Sequence, residues 1–157
     1  SISDEIVIMK LGVVQQIGKP QDVYDSPANL FVAKFLGTPP INVFSGCVKS
    51  EKVYIGRDMI MDAKGVEDQE VWVGIRPEGF ALDEKGPLHC ELNAVEVMGR
   101  DVSIVASNSS AATPTIRAII PSDSGVDHSG KSVTFSLKPY KTFIFNKETE
   151  ERIYLEK

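Results

Sequence analysis

Residues 125–132 read GVDHSGKS, a formal match to the phosphate-loop expression GxxxxGK[ST], in which backbone N–H groups cradle phosphates and a lysine, here Lys131, reaches the terminal ones. That chemistry needs a buried strand entering the loop and a helix leaving it with its N-terminus toward the anion. The flanking residues argue against both. Val133 to Leu137 alternate apolar and polar as VTFSL, the period of a strand, and Pro139 leaves no room for a helix. Upstream, Ile116 to Ile120 suit a strand, but Pro121, Ser122, Asp123 and Ser124 separate it from Gly125, and no later apolar strand ends in a magnesium-binding aspartate. The segment reads as a polar hairpin loop, with a nucleotide-binding enzyme using Lys131 as the remotest alternative. His89 and His128 have no ligand-type residues grouped around them, and Cys47 and Cys90 stand far apart without a CxxC pairing, as buried free thiols do. No nucleophile and base can be paired, so no catalytic, cofactor-binding or metal-binding residue is assigned.

The composition suits one modest globular body, with or without appendages. The chain has 157 residues, 42% of them hydrophobic, enough to fill a core. A formal charge of -5 gives no bulk attraction to nucleic acid, and no patch interleaves basic and aromatic residues as single-strand binders require. Neither a run of about eighteen apolar residues nor a signal peptide is present, so a soluble chain without direct membrane insertion is expected.

From Asn42 onward the pattern is mostly strands: Val43 to Lys49, Lys52 to Ile55, Glu70 to Arg76, Leu88 to Met98, Asp101 to Ala106, Thr115 to Ile120, Ser132 to Leu137 and Lys141 to Phe145, divided by turn-forming residues. Met98-Gly99-Arg100-Asp101 reads as a hairpin turn, and Ser107 to Thr115, SNSSAATPT, as a mobile loop. Trp72 should face opposite to Val71 and Val73, so a second layer or subunit must cover one side of that strand. Such a series predicts a small antiparallel barrel or sandwich.

The N-terminal third is organised differently. Gly12 reads as a turn after the apolar run Ile6 to Met9, and Val13, Val14 and Ile17 suggest a strand closed by Gly18. Pro20 suits the first position of a short helix carrying Val23 and Tyr24. Ser26 is the expected N-cap of a second helix with Pro27 at N1, Ala28, Phe31, Val32, Phe35 and Leu36 as its apolar stripe, and Gly37 at its C-terminal end before Pro39 and Pro40.

Three segments carry a resemblance. Gly12 to Pro40, GVVQQIGKPQDVYDSPANLFVAKFLGTPP, resembles the junction between the nucleotide-binding and C-terminal regulatory domains of bacterial ABC importer ATPases of the maltose-importer group. GIRPE at Gly74 to Glu78 is similar to a motif of the regulatory domain, and FNKETEERI at Phe145 to Ile153 to the family's closing pattern, with Glu150 where the family usually has glycine. Residues 107–129 match poorly. The resemblance implies OB-like barrels of the MOP/TOBE type with two short N-terminal helices, residues 1–40 being the tail of the nucleotide-binding domain plus linker helices and 41–157 a regulatory and dimerisation domain.

The same resemblance places the catalytic core, with its ATP and magnesium, upstream of Ser1, so this fragment is expected not to be an enzyme although its parent is a transport ATPase. It implies a homodimer, permease subunits reached through the parent, and a place at the cytoplasmic face of the cell membrane. The transported solute, a sugar being the first expectation, is not legible. A small-ligand-sensing OB-like barrel is the alternative, with Arg76 and Glu78 as its possible regulatory or ligand residues. A strand-end arginine before Pro77 is, however, more often a structural ion pair or backbone clamp. Ile6, Val7, Ile8, Val13, Val14 and Ile17 are expected to pair with another copy or to lie on the barrel.

Overall fold

Alternation of apolar and polar residues builds this chain almost entirely from antiparallel strands, arranged in three sheets. A computed structural model describes residues 4–126 and 129–156; Asp127 and His128, and with them part of the GVDHSGKS segment, lie outside it. β1 (Ile6–Lys10) and β2 (Val13–Gly18) form a hairpin, followed by α1 (Pro20–Asp25) and α2 (Leu30–Phe35). A six-stranded sheet combines β3 (Asn42–Lys49), β4 (Lys52–Ile55), β5 (Asp58–Asp62), β6 (Gln69–Ile75), β12 (Thr142–Asn146) and β13 (Arg152–Ile153), in the order β13-β12-β6-β3-β4-β5. A five-stranded sheet combines β7 (Phe80–Leu82), β8 (Leu88–Met98), β9 (Asp101–Ser107), β10 (Ile116–Pro121) and β11 (Ser132–Leu137), in the order β10-β9-β8-β11-β7. Its outer strands β10 and β7 approach each other, leaving a nearly closed five-strand barrel. The mainly β, OB-like class with two short N-terminal helices is the architecture found.

The main core lies between the two large sheets. Phe44, Val73 and Ile75 from one meet Phe80, Leu88, Ile104 and Phe135 from the other, with Phe80 and Phe135 edge to face at 5.0 Å. Asn42 joins the sheets by polar contacts: its amide donates to Ile75 O and Arg117 O at 3.1 and 3.0 Å, and its oxygen accepts from Arg117 N at 2.9 Å. A buried amide with both ends satisfied fixes the register of two layers at once.

Trp72 does face away from Val71 and Val73. Its side of the six-stranded sheet is covered by Leu30 and Ala33 of α2, which pack with Ile41, Val43, Phe143 and Phe145. The covering layer is thus a helix of the same chain. A third, smaller cluster of Ile8, Val23 and Val32 joins the hairpin to the helices.

The second helix is shorter than expected. Asn29, not Ser26, is its N-cap and accepts from Val32 N at 2.9 Å. Residues 27–29 are held elsewhere: Ala28 N donates to Gln16 Oε1 at 2.8 Å, and Ala28 O accepts from Arg152 N at 3.0 Å. The later start turns the stripe, so Leu30, Val32 and Ala33 are buried while Phe35 is 61% exposed. Ser107 to Thr115 also differs from the mobile loop expected. Ser45 N donates to Ser110 O and Ala112 N to Val43 O, both at 2.8 Å, tying the segment to β3.

Candidate functional site

β6 ends at Ile75, and Pro77 opens a 3-10 turn over Pro77–Gly79, so the chain swings Arg76 out of the sheet toward the helices. Arg76 is fully buried. Its Nη1 donates to Ala33 O at 2.7 Å and Leu36 O at 3.0 Å, and its Nη2 to Tyr24 O at 2.7 Å. These carbonyls lie in the last turns of the two helices, where no intrahelical donor remains and the backbone dipoles present their negative ends. A planar fork of donors reaches three of them, a geometry that a lysine ammonium cannot copy. The guanidinium also lies 3.9 Å from the centroid of the Tyr24 ring.

Burial lowers the Arg76 pKa, opposed by the neighbouring Tyr24, Glu78 and Asp25. The Tyr24 hydroxyl donates to Glu78 Oε2 at 2.6 Å, and Lys141 Nζ lies 3.6 Å from both Glu78 Oε2 and Asp25 Oδ1. Burial and then the Glu78 contact push the Tyr24 hydroxyl well above its ordinary range. For Glu78 burial acts upward, but the Tyr24 hydroxyl, its own backbone N–H and Lys141 outweigh it and hold the carboxyl below its ordinary value. Gly37 follows α2 with φ +107, and a Cβ there would stand 3.0 Å from the Tyr24 ring.

A second arginine works beside the first. Arg152 Nη1 donates to Pro27 O at 3.1 Å, and its guanidinium lies between the rings of Phe143 and Tyr154 at 4.6 and 4.7 Å. Leu30 N donates to Glu150 O at 2.9 Å, and Asn29 bridges Glu151 in antiparallel register. Glu150 carries φ +65, the left-handed conformation that glycine adopts without cost. The segments around residues 12–40, 74–78 and 145–153, far apart in the chain, therefore meet at one junction.

Chemically this junction is a clamp. Arg76 and Glu78, the two residues singled out from the sequence, are brought together with Tyr24, but through backbone carbonyls and a phenol and not around an open cavity. Sequence reading missed Arg152, Lys141 and Asn42, and took Tyr24 only as part of an apolar face. The other titratable residues are placed elsewhere. His89 Nδ1 lies 3.1 Å from Asp58 Oδ1 and its backbone N donates to Asp58 Oδ2 at 2.9 Å, which joins β8 to β5. Cys47 and Cys90 are free. Gly125 is left-handed, and Lys131 leads directly into β11, an antiparallel strand between β8 and β7, so a strand stands where a phosphate loop needs a helix. Among the described residues no group of three or more His, Cys, Asp and Glu is placed to hold a metal, and no helix is long and apolar enough to cross a membrane.

No family model matches the chain. Curated relatives match it nearly end to end. The oligosaccharides import ATP-binding protein MsmX of Bacillus subtilis is 30% identical over 170 residues, covering 98% of this chain and 45% of that protein. The chain belongs with the C-terminal regions of ABC importer ATP-binding proteins. The diacetylchitobiose uptake system ATP-binding protein MsiK of Streptomyces coelicolor is 29% identical, covering 98% and 47%. The sn-glycerol-3-phosphate import ATP-binding protein UgpC of Jannaschia sp. is 27% identical, covering 98% and 43%. This importer-ATPase region thus spans under half the length of those relatives, and the match does not extend over their ATPase core.

Proposed function

We propose that this region regulates and dimerises the ATP-binding subunit of an importer for a sugar or a glycerol phosphate, acting by mechanical coupling and not by chemistry of its own. Residues 1–40 serve as the end of the nucleotide-binding domain and its linker helices, and residues 41–157 as the regulatory domain. ATP and magnesium are bound by the parent protein's core, which acts with permease subunits at the cytoplasmic face of the membrane.

The observation that carries this reading is the Arg76 clamp. A buried guanidinium tied to Tyr24, Ala33 and Leu36 makes α1 and α2 follow any movement of β6, which ends at Ile75. Contacts between two regulatory domains would in this way bias the opening and closing of the ATP-bound pair. The hairpin supports the same placement. Ile8 is buried against the helices, while Val7, Met9, Val14 and Ile17, which pair across the hairpin, are each about half exposed at 52, 50, 49 and 57%. That open apolar face is suited to packing on the ATPase core.

The ligand-sensing alternative loses support because the Arg76 terminal nitrogens are engaged with backbone carbonyls. Size exclusion with light scattering over a concentration series, with and without magnesium-ATP, tests the proposal. A dimer indifferent to nucleotide is expected. A monomer at every concentration contradicts the dimerisation role, and a nucleotide-dependent change contradicts the absence of a nucleotide site.

A further inference from the structure

Residues 26–30, between α1 and α2, are held from two sides by bonds of different kinds. On one side the C-terminal segment pairs with them main chain to main chain: Arg152 N donates to Ala28 O at 3.0 Å, Leu30 N donates to Glu150 O at 2.9 Å, and Asn29 faces Glu151 in antiparallel register. On the other side the hairpin reaches them through side-chain amides. Gln16 uses both ends of its amide, accepting from Ala28 N at 2.8 Å and donating to Ser26 O at 3.1 Å, while Gln15 Oε1 accepts from Asn29 Nδ2 at 2.8 Å.

The same asymmetry runs through the rest of the junction. The two helices are tied to the large sheets by the three Arg76 bonds, by the Tyr24 hydroxyl on Glu78, and by Leu30 and Ala33 packed with Val43, Phe143 and Phe145. Toward the hairpin they present an apolar contact centred on Ile8, Val23 and Val32, with the Lys10 ammonium 5.4 Å from the Phe31 ring centroid. Among the described residues no backbone hydrogen bond and no ion pair joins residues 6–18 to either helix. Apolar packing is non-directional and lets surfaces slide. Bonds from a charged planar fork to several carbonyls are directional and stronger, and so resist sliding.

We infer that the moving boundary of this region lies between β2 and α1, at Gly18 and Lys19, and not at the end of the linker helices. α1 and α2 travel with the six-stranded sheet, and the hairpin shears across Val23 and Val32. This boundary rests on the reading above, in which the hairpin packs on the ATPase core, and it names where that coupling yields. Gln16 is the tie that slips, since its bond to Ser26 O is exposed and water replaces it at small cost. Gly18 leaves the room, because a Cβ there would stand 3.2 Å from Val23 Cγ2.

The test is pulsed electron resonance on the full chain carrying Cys47→Ser and Cys90→Ala, with spin labels in pairs at Leu11→Cys on the hairpin turn, Gln21→Cys on α1 and Glu70→Cys on β6, all exposed positions. Labelled chain is diluted into excess unlabelled chain so that only distances within one copy are read. The 21–70 distance should be narrow, and both distances from position 11 about twice as broad. Gln16→Ala should broaden the two position-11 distances further and leave the 21–70 distance unchanged. A broad 21–70 distance with a narrow 11–21 distance overturns this boundary, as do three equally narrow distances or position-11 distances that ignore Gln16→Ala. Light scattering on the same samples reads the dimer separately, so a rigid hairpin in a dimeric chain overturns the boundary alone, and a shearing hairpin in a monomeric chain overturns dimerisation alone.

Discussion

The Arg76 guanidinium lies 3.9 Å from the centroid of the Tyr24 ring and also donates to the Tyr24 carbonyl at 2.7 Å, so one side chain holds both the face and the backbone of a residue 52 positions earlier. Replacement by lysine keeps the charge but cannot reach Tyr24, Ala33 and Leu36 together. Arg76→Lys is expected to cost about 2–4 kcal/mol in denaturant unfolding, since buried carbonyls lose charged partners. A loss under about 0.5 kcal/mol, the ordinary surface range, would show that the clamp contributes little.

Glu150 offers the opposite sign. Its φ of +65 places a Cβ-bearing residue in a left-handed turn whose carbonyl accepts from Leu30 N. Glu150→Gly should stabilise the chain by roughly 1 kcal/mol, the left-handed penalty outweighing the added chain entropy of glycine. Thermal and denaturant midpoints should both rise. A fall in either would indicate that the Glu150 side chain contributes more than its backbone strain costs.

The junction should loosen at both ends of the pH scale. Glu78 titrates below its ordinary value of 4.5 in the folded chain, so its stabilising effect is complete above that value and is lost as pH falls through the lower folded one. Tyr24 titrates above its ordinary 10.0, so its contribution is complete below pH 10 and fades as pH rises through the folded value. Stability measured against pH should show a shallower acid limb in Glu78→Gln and a shallower alkaline limb in Tyr24→Phe. Limbs identical to those of the unchanged chain would remove these two groups from the explanation.

The two thiols should differ in reactivity. Burial pushes Cys90 up to about 11 from an ordinary 9.0, against the opposing contact of Asn108, whereas Cys47 is half-buried on β3. A two-unit rise leaves on the order of 100-fold less thiolate at pH 8 than an ordinary thiol carries, and the thiolate is the nucleophile. Alkylation followed by mass spectrometry should therefore label Cys47 first and Cys90 only on unfolding. Equal rates would contradict the burial of Cys90.

Much of the fold was legible because its long strands declare themselves locally. The alternation around Trp72 correctly implied a covering layer, and Gly99, at φ +68, marks the turn between β8 and β9. Three strands escaped notice: β5, with five residues, β7, with three, and β13, with two, and their assignment rests on pairing with β4, β11 and β12. The helix start was misplaced because Ser26-Pro27 is a good local signal, overridden when Ala28 and Asn29 were drawn to Gln16, Gln15 and Arg152. At the junction, Arg76 before Pro77 suggested a clamp, but its partners are main-chain carbonyls, which leave no mark in side-chain identity.

The coupling of the linker helices to the sheets through Arg76 is tested most directly by hydrogen exchange on the folded chain, comparing Arg76→Ala and Arg76→Lys with the unchanged protein. Faster exchange confined to α1, α2 and residues 150–152, with β8 to β11 keeping their protection, is the expected result. Unchanged protection in α1 and α2, or an equal loss across every strand, would contradict it.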